Sequence, residues 1–251
     1  MFKSLLHHTQ HRPYPLPSAP WVMQQVWHDL LFAHWRIDIA QMRAHVPAIL
    51  PLDTFDNSAW ISVVPFRMSG IHPRYTFDVP GLSAFPELNV RTYVSHRGRP
   101  GVFFFSLEAA NAMAVQIARA WFHLPYFHAK MSLQEQNGLI TYQSERIHKN
   151  APPASFSGTY RPLGVPVPAP HGSLTHWLTE RYCLYTLDSQ GRLLRGEIHH
   201  QPWPIETVEV HIASNSMTEA AGIRLPAEAP LVQFSRHLEV LVWSLVLAEQ
   251  D

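Results

Sequence analysis

The sequence predicts an α+β fold dominated by antiparallel β-structure, either a large sheet or a partly closed barrel, carrying two or three helices. Short apolar or alternating runs recur along the 251 residues, most of them separated by turn-forming residues. Two separators, Asn137-Gly138 and Asp188-Ser-Gln-Gly191, read as hairpin turns between strand-like runs. Helical spacing is confined to a few short stretches. Roughly ten or more strands are expected from this pattern.

Taken in order, Trp27 to Asp38 (WHDLLFAHWRID) opens the fold as a strand. Ile39, Met42 and Val46 then follow at helical spacing, stopped by Pro47. Asp56-Asn57 suits a hairpin tip before a long strand, Ala59 to Met68, which carries Arg67. Gly70 to Pro86, rich in proline, is expected to be an ordered loop covering a site. In Phe85 to Val94 the period is two, with Asn89, Arg91 and Tyr93 on one face and Val90 and Val94 on the other. Ser95 to Pro100 is the turn, and Val102 to Leu107 reads as a buried strand. From Ala110 to Trp121 the apolar residues move to three- and four-residue spacing, a helix ended by Pro125. Phe127 to Leu133 resumes as a strand. Ser155 to Tyr160, the hairpin of Glu180–Leu187 with Arg192–His200, Thr207 to Ala213 and Leu231 to Trp243 supply further strands. Ser173 is an N-cap for a short helix over SLTHWLT. Residues 1–20, with four prolines and three histidines, are expected to form a flexible tail, and residues 21–251 a single domain.

Composition narrows the function. With 46% apolar and 15% charged residues the chain can bury a sizeable core. Nineteen basic residues balance nineteen acidic ones, so no overall field draws nucleic acid or anionic lipid. One cysteine, Cys183, leaves no intramolecular disulfide or cysteine-based metal cluster. No run approaches the ~20 apolar residues of a membrane span, and the opening residues lack the apolar stretch of a signal peptide. The expectation is a cytoplasmic protein with a small-molecule ligand and neither nucleic-acid nor membrane partner; a homo-oligomer stays open.

The chemistry-bearing residues cluster in one stretch, Phe85 to Lys130. Glu87 and Arg91 lie four apart on one strand face, roughly 13 Å along it, able to point into one cavity or to satisfy each other in an interior network. Glu108 and Asn111 stand where a strand meets a helix start, so either site chemistry or capping explains them. Seventeen histidines invite a metal, but HExxH is absent and the pairs His7-His8 and His199-His200 point opposite ways on a strand. His128 is a candidate proton carrier or a hydrogen-bonded structural histidine. Lys130 is a candidate imine-forming nucleophile if buried, and otherwise a surface lysine. No GxSxG, GxGxxG or GxxxxGK[ST] occurs, so no serine nucleophile or nucleotide cofactor is indicated. No metal or other cofactor is expected.

The segments LLFAHWRID, PAILPLDTFDNSAWISVVPFRM, GLSAFPELNVRTYV, RPGVFFFSLEAAN, FHLPYFHAKMSL, TERYCLYT and RGEIHHQPWPI resemble the successive motifs of the YqjF-like uncharacterised conserved family, across about residues 24–243. That family is similar in fold to acetoacetate decarboxylase, which implies a β-rich domain around a closed, barrel-like cavity. The resemblance carries no established activity. In FPE87, Glu87 resembles the glutamate of the decarboxylase's aromatic-x-Glu motif. LPYFHAK resembles its lysine segment, but Tyr126 and Phe127 follow Pro125, Lys130 comes several residues later, and there is no lysine pair. The imine chemistry is therefore not carried over, and a cavity with its reaction changed or lost is expected.

In the resulting reading, Glu87 acts as acid or base, Arg91 holds a substrate carboxylate or enolate oxygen with Arg67, and Tyr126 and His128 complete the site. Asn89, Glu108 and Lys130 join as substrate-binding residues. The alternative is a cavity that binds an apolar carboxylate or ketone without turnover. A third reading makes the Glu87 and Arg91 network purely structural, with tail or surface mediating protein contacts.

Overall fold

The computed structural model describes residues 2–249. After a short helix, α1 (Phe2–Leu5), the chain lays down β1 (Met23–Ile37), α2 (Ile39–Arg43), β2 (Ala59–Pro73), β3 (Phe85–His96) and β4 (Arg99–Ala109). Helix α3 (Ala112–Phe122) leads into β5 (Tyr126–Gln136), β6 (Leu139–Arg146) and β7 (Ser155–Pro162). Next come β8 (Val167–Pro168), α4 (Leu174–Thr179), β9 (Cys183–Leu187) and β10 (Leu193–His199). The chain ends with β11 (Pro204–Ile205), β12 (Val208–Asn215), β13 (Leu231–Val242) and β14 (Val246–Leu247).

Strand β4 is the branch point. It pairs antiparallel with β3 along most of its length, parallel with β5 through Leu107–Ala109, and parallel with β9 through Val102 and Phe103. The β9 pairing closes a hydrogen-bonded ring of β4, β3, β2, β1, β13, β10 and β9. The β5 pairing starts a wing, β5-β6-β7-β12, that extends from the same strand. The sheet is mainly antiparallel, as expected, and among the described residues its parallel pairings are those of β4 with β5 and with β9.

This arrangement explains why β1 and β2 lack a clean polar/apolar alternation. Leu31 and Ala33 join Tyr142, Phe156 and Tyr160 of the wing in one core, while their neighbours Leu30 and Phe32 join Phe66, Trp203 and Val240 in another. Both faces are buried, so both are apolar.

Local chemistry sets the turns and caps. Asn137 and Gly138 both take positive φ, 52° and 76°, as a two-residue hairpin loop requires. The β3–β4 turn is tighter than the six-residue one expected, with Arg97 and Gly98 alone between the strands at φ 49° and 76°. Asn111 caps α3, its Oδ1 accepting from the Met113 and Ala114 N–H groups, and Asp38 and Ser173 do the same for α2 and α4. His123, left-handed at φ 47°, ends α3 before Pro125.

The first twenty residues, read from composition as a loose tail, pack on the ring. Leu5 is buried with Leu241 and Trp243. Arg12 is buried, pairs with Glu197 at 3.1 Å and donates to the Ile198 carbonyl at 2.7 Å. Composition cannot register these partners because all of them lie more than 180 residues away in sequence.

Gly101 sits where β4 meets β9. A Cβ there would stand 2.7 Å from the Cys183 Sγ and 2.8 Å from the Cys183 carbonyl oxygen. Gly101→Ala should therefore destabilise the protein by about 1–3 kcal/mol, read as a lowered midpoint in urea unfolding. An unchanged midpoint would mean that the ring does not close through this contact.

Candidate functional site

The inward faces of the ring strands enclose a cavity of about 830 Å³, roofed by α3 and by residues 74–84. Residues 74–84 lie within the span expected to cover a site, although β2 runs on to Pro73 before the loop begins; α3 lies outside that span. The cavity walls are mainly apolar, with Trp27, Phe66, Met68, Phe85 and Leu124 among them.

Strand parity places the polar groups. In β3, Leu88 and Val90 face the large core, so Glu87, Asn89 and Arg91 face the cavity. Register then adds Leu107, opposite Asn89, and Tyr126, beside Leu107 on β5.

Glu87 is only 3% exposed. The Tyr126 hydroxyl donates to its Oε2 at 2.9 Å. Burial pushes the Glu87 carboxyl up to about 8, against the pull of the Tyr126 hydrogen bond. At neutral pH Glu87 is consequently mostly an uncharged acid, whose own proton is free to be donated. Burial and the adjacent carboxyl also raise Tyr126, so the phenol keeps its proton.

Farther along the same face lies Arg91, 8% exposed. Its Nη2 makes one long bond, 3.5 Å, to the Leu178 carbonyl, and its Nε has no partner. Arg181, 4% exposed, also lines the cavity. It donates to Asp53 and, at 2.7 Å, to the Trp177 carbonyl, which leaves its Nη2 without a partner. Both guanidiniums lie against the Tyr93 ring, 5.9 and 5.0 Å from its centroid. Among the described residues no carboxylate pairs with Arg91. A buried cation without a counter-ion is costly, and an anionic ligand would relieve that cost.

The Asn89 Oδ1, His200 Nε2 and Trp203 Nε1 atoms are also buried without a partner on residues that line the cavity. His200 bonds the Gln201 carbonyl through Nδ1 at 2.6 Å, which fixes its proton there and leaves Nε2 as an acceptor. Burial pushes this imidazole down to about 3, so it stays neutral.

Of the residues expected in the site, Glu87, Asn89, Arg91 and Tyr126 converge on the cavity. Glu108 does not. It stands opposite Leu88, on the outer face, where Arg146 Nε donates to it at 2.9 Å and Ser106 at 3.1 Å. Arg67 pairs with the buried Asp29 at 2.8 Å and lies outside the cavity lining. His128 is half-buried beside His148, whose Nδ1 accepts from the His128 N–H at 3.1 Å. Lys130 is exposed, opposite Glu145 in the β5–β6 hairpin. Arg181, His200 and Trp203 are cavity residues that the sequence reading did not single out. For His200 a signal existed, since it continues the inward parity of Ile198; Arg181 follows α4 outside any strand and carries none.

The raised Glu87 value makes stability pH-dependent. The stability conferred by the neutral carboxyl is fully present below the ordinary 4.5 and is lost as pH rises through about 8. Across that window the wild type should lose on the order of 4 kcal/mol relative to Glu87→Gln, measured by urea unfolding of both proteins at several pH values. A difference that stays flat with pH would mean that Glu87 is ionised throughout.

Comparison with known proteins agrees with this architecture. Residues 24–239 match the model of DUF2071, an uncharacterized conserved protein family. The chain is 45% identical over 236 residues to the uncharacterized protein YqjF of Bacillus subtilis (strain 168), covering 94% of this chain and 96% of that one. Two solved structures share the fold at low identity. Acetoacetate decarboxylase from Legionella pneumophila superposes with a TM-score of 0.63 at 11% identity, over 97% of this chain and 95% of its own. The enduracididine biosynthesis enzyme MppR, complexed with pyruvate, superposes with a TM-score of 0.62 at 10% identity, over 94% and 93%. With an acetoacetate decarboxylase-like fold and a family match across most of its length, the chain belongs to the uncharacterized conserved family DUF2071.

Proposed function

We propose that the cavity binds a small organic acid or carbonyl compound, with Arg91 and Arg181 holding its anionic oxygens and Glu87 with Tyr126 exchanging a proton with it. The observation that carries this reading is the pair of buried guanidiniums with unpartnered N–H groups on the wall of an apolar cavity. Arginine suits the role because its planar fork meets a carboxylate with parallel hydrogen bonds. A protonated Glu87 donates to the carbonyl oxygen; the carboxylate left behind, held by the Tyr126 hydroxyl, takes a proton from the adjacent carbon to give the neutral enol, and the reverse steps restore the ketone. The pair is then a reversible proton carrier.

In fold, this chain is similar to an enzyme solved with pyruvate and to a decarboxylase of acetoacetate, which supports a keto acid as the first ligand to try. Among the described residues no lysine lines the cavity, and both Lys130 and Lys149 are exposed. The reaction proposed is therefore acid–base rather than imine-forming. A cytoplasmic setting belongs to the same proposal, supported by a buried cysteine, Cys183, that remains a free thiol. No helix among the described residues is long and apolar enough to cross a membrane.

The test is a panel of 2-oxo and 3-oxo acids, followed by calorimetry for binding and by NMR for exchange of the carbon-bound protons next to the carbonyl. Arg91→Met should weaken binding by tenfold or more, since it removes a buried charge-assisted hydrogen bond worth about 1.5–3 kcal/mol. Glu87→Gln should bind but lose proton exchange, and borohydride should leave every lysine unmodified. Binding without exchange in the wild type would make this a binding protein without turnover. A panel with no binders would sink the reading altogether.

A further inference from the structure

The cavity has a direction. Phe85, Glu87, Asn89 and Arg91 follow one another along the inward face of β3. The end at Glu87 lies under the roof, because Glu87 pairs with Ala109, the last residue before the turn into α3. The end at Arg91, roughly 13 Å farther along the strand, is closed by the end of α4, with Leu178, and by the segment after it, with Arg181. The cations are therefore deep and the apolar surface is at the mouth. Ala114 and Ala118, one helical turn apart on α3, border the cavity. Their neighbours Ile117 and Trp121 are 44% and 66% exposed, and Phe77 across the mouth is 81% exposed, so an apolar rim faces solvent where the cavity opens.

We propose that the site takes an amphipathic monocarboxylate with a medium-length alkyl or arylalkyl chain, head first. Its carboxylate lies on Arg91 and Arg181, its chain runs past Glu87 along the apolar walls, and its end emerges between α3 and residues 74–84. This inference rests on the reading that the Arg91 end holds an anion. The volume of about 830 Å³ is far larger than a two- or three-carbon acid needs and lies within the range of roughly 300–1,000 Å³ that encloses larger ligands.

The test is a titration of the full-length protein with butanoate, hexanoate, octanoate, decanoate and methyl decanoate, followed by tryptophan fluorescence, since Trp27, Trp121 and Trp203 border the cavity. Affinity should rise roughly fourfold for each added methylene that the cavity buries. The methyl ester should bind at least tenfold more weakly than decanoate. Ala118→Phe, a change on the half-buried face of a surface helix, should shrink the decanoate-to-butanoate affinity ratio by tenfold or more. Short acids that bind as tightly as long ones, an ester that binds as well as the acid, or an Ala118→Phe ratio equal to that of the wild type would each overturn this inference while leaving the anion site standing. Failure of every acid to bind would instead overturn the anion reading on which it rests.

Discussion

The short parallel pairing of β4 with β9 is the contact on which the rest depends. It joins seven strands into a ring, and a ring gives each strand an inside. Left open, the inward face of β3 would be one surface of a sheet, its glutamate and arginine in water and ionised in the ordinary way. Closed, the same face lies in a space walled by aromatic and aliphatic side chains. The chemical character of Glu87 follows from topology more than from its neighbours, because desolvation is the largest influence on it.

The chain treats its buried charges in two ways. Glu108 with Arg146, Arg12 with Glu197, and Asp29 with Arg67 and Arg236 are matched sets, and each joins elements distant in sequence. Arg91 is not matched, and Arg181 is matched on only one side. Cation–π contacts with Phe32 and Tyr93 give Arg91 partial compensation. Buried pairs hold the frame together, while Arg91 and Arg181 bring unpartnered N–H groups to the cavity wall. That contrast in charge pairing is what supports reading the cavity as a binding site.

The part of this organisation that depends on local pattern was legible in the sequence. Period-two alternation set Asn89 and Arg91 on one face of β3, and Asn137-Gly138, Asn111 and Ser173 marked a turn and two helix starts. The part that depends on register was not. Glu108 looks like a neighbour of Glu87 until the pairing sets it opposite Leu88 and so on the other face. His128 and Lys130 share the parity of Tyr126, but β5 stays beside β4 for only three residues before it leaves with β6 for the wing. Arg181 reaches the cavity from a segment that belongs to no strand, and only because the ring closes, and no window of sequence contains that fact.

The amino-terminal segment has a practical side. His11 bonds the carbonyl of His200, and Arg12 the carbonyl of Ile198, so this segment lies directly behind two residues of the cavity wall. A purification tag fused at the amino terminus would join the chain a few residues before the buried Leu5 and pull on that backing. A tag placed after the final residues, beyond β14, would act on a part of the fold that contributes nothing to the cavity lining. The end that carries a tag thus decides whether the cavity keeps the backing that shapes it.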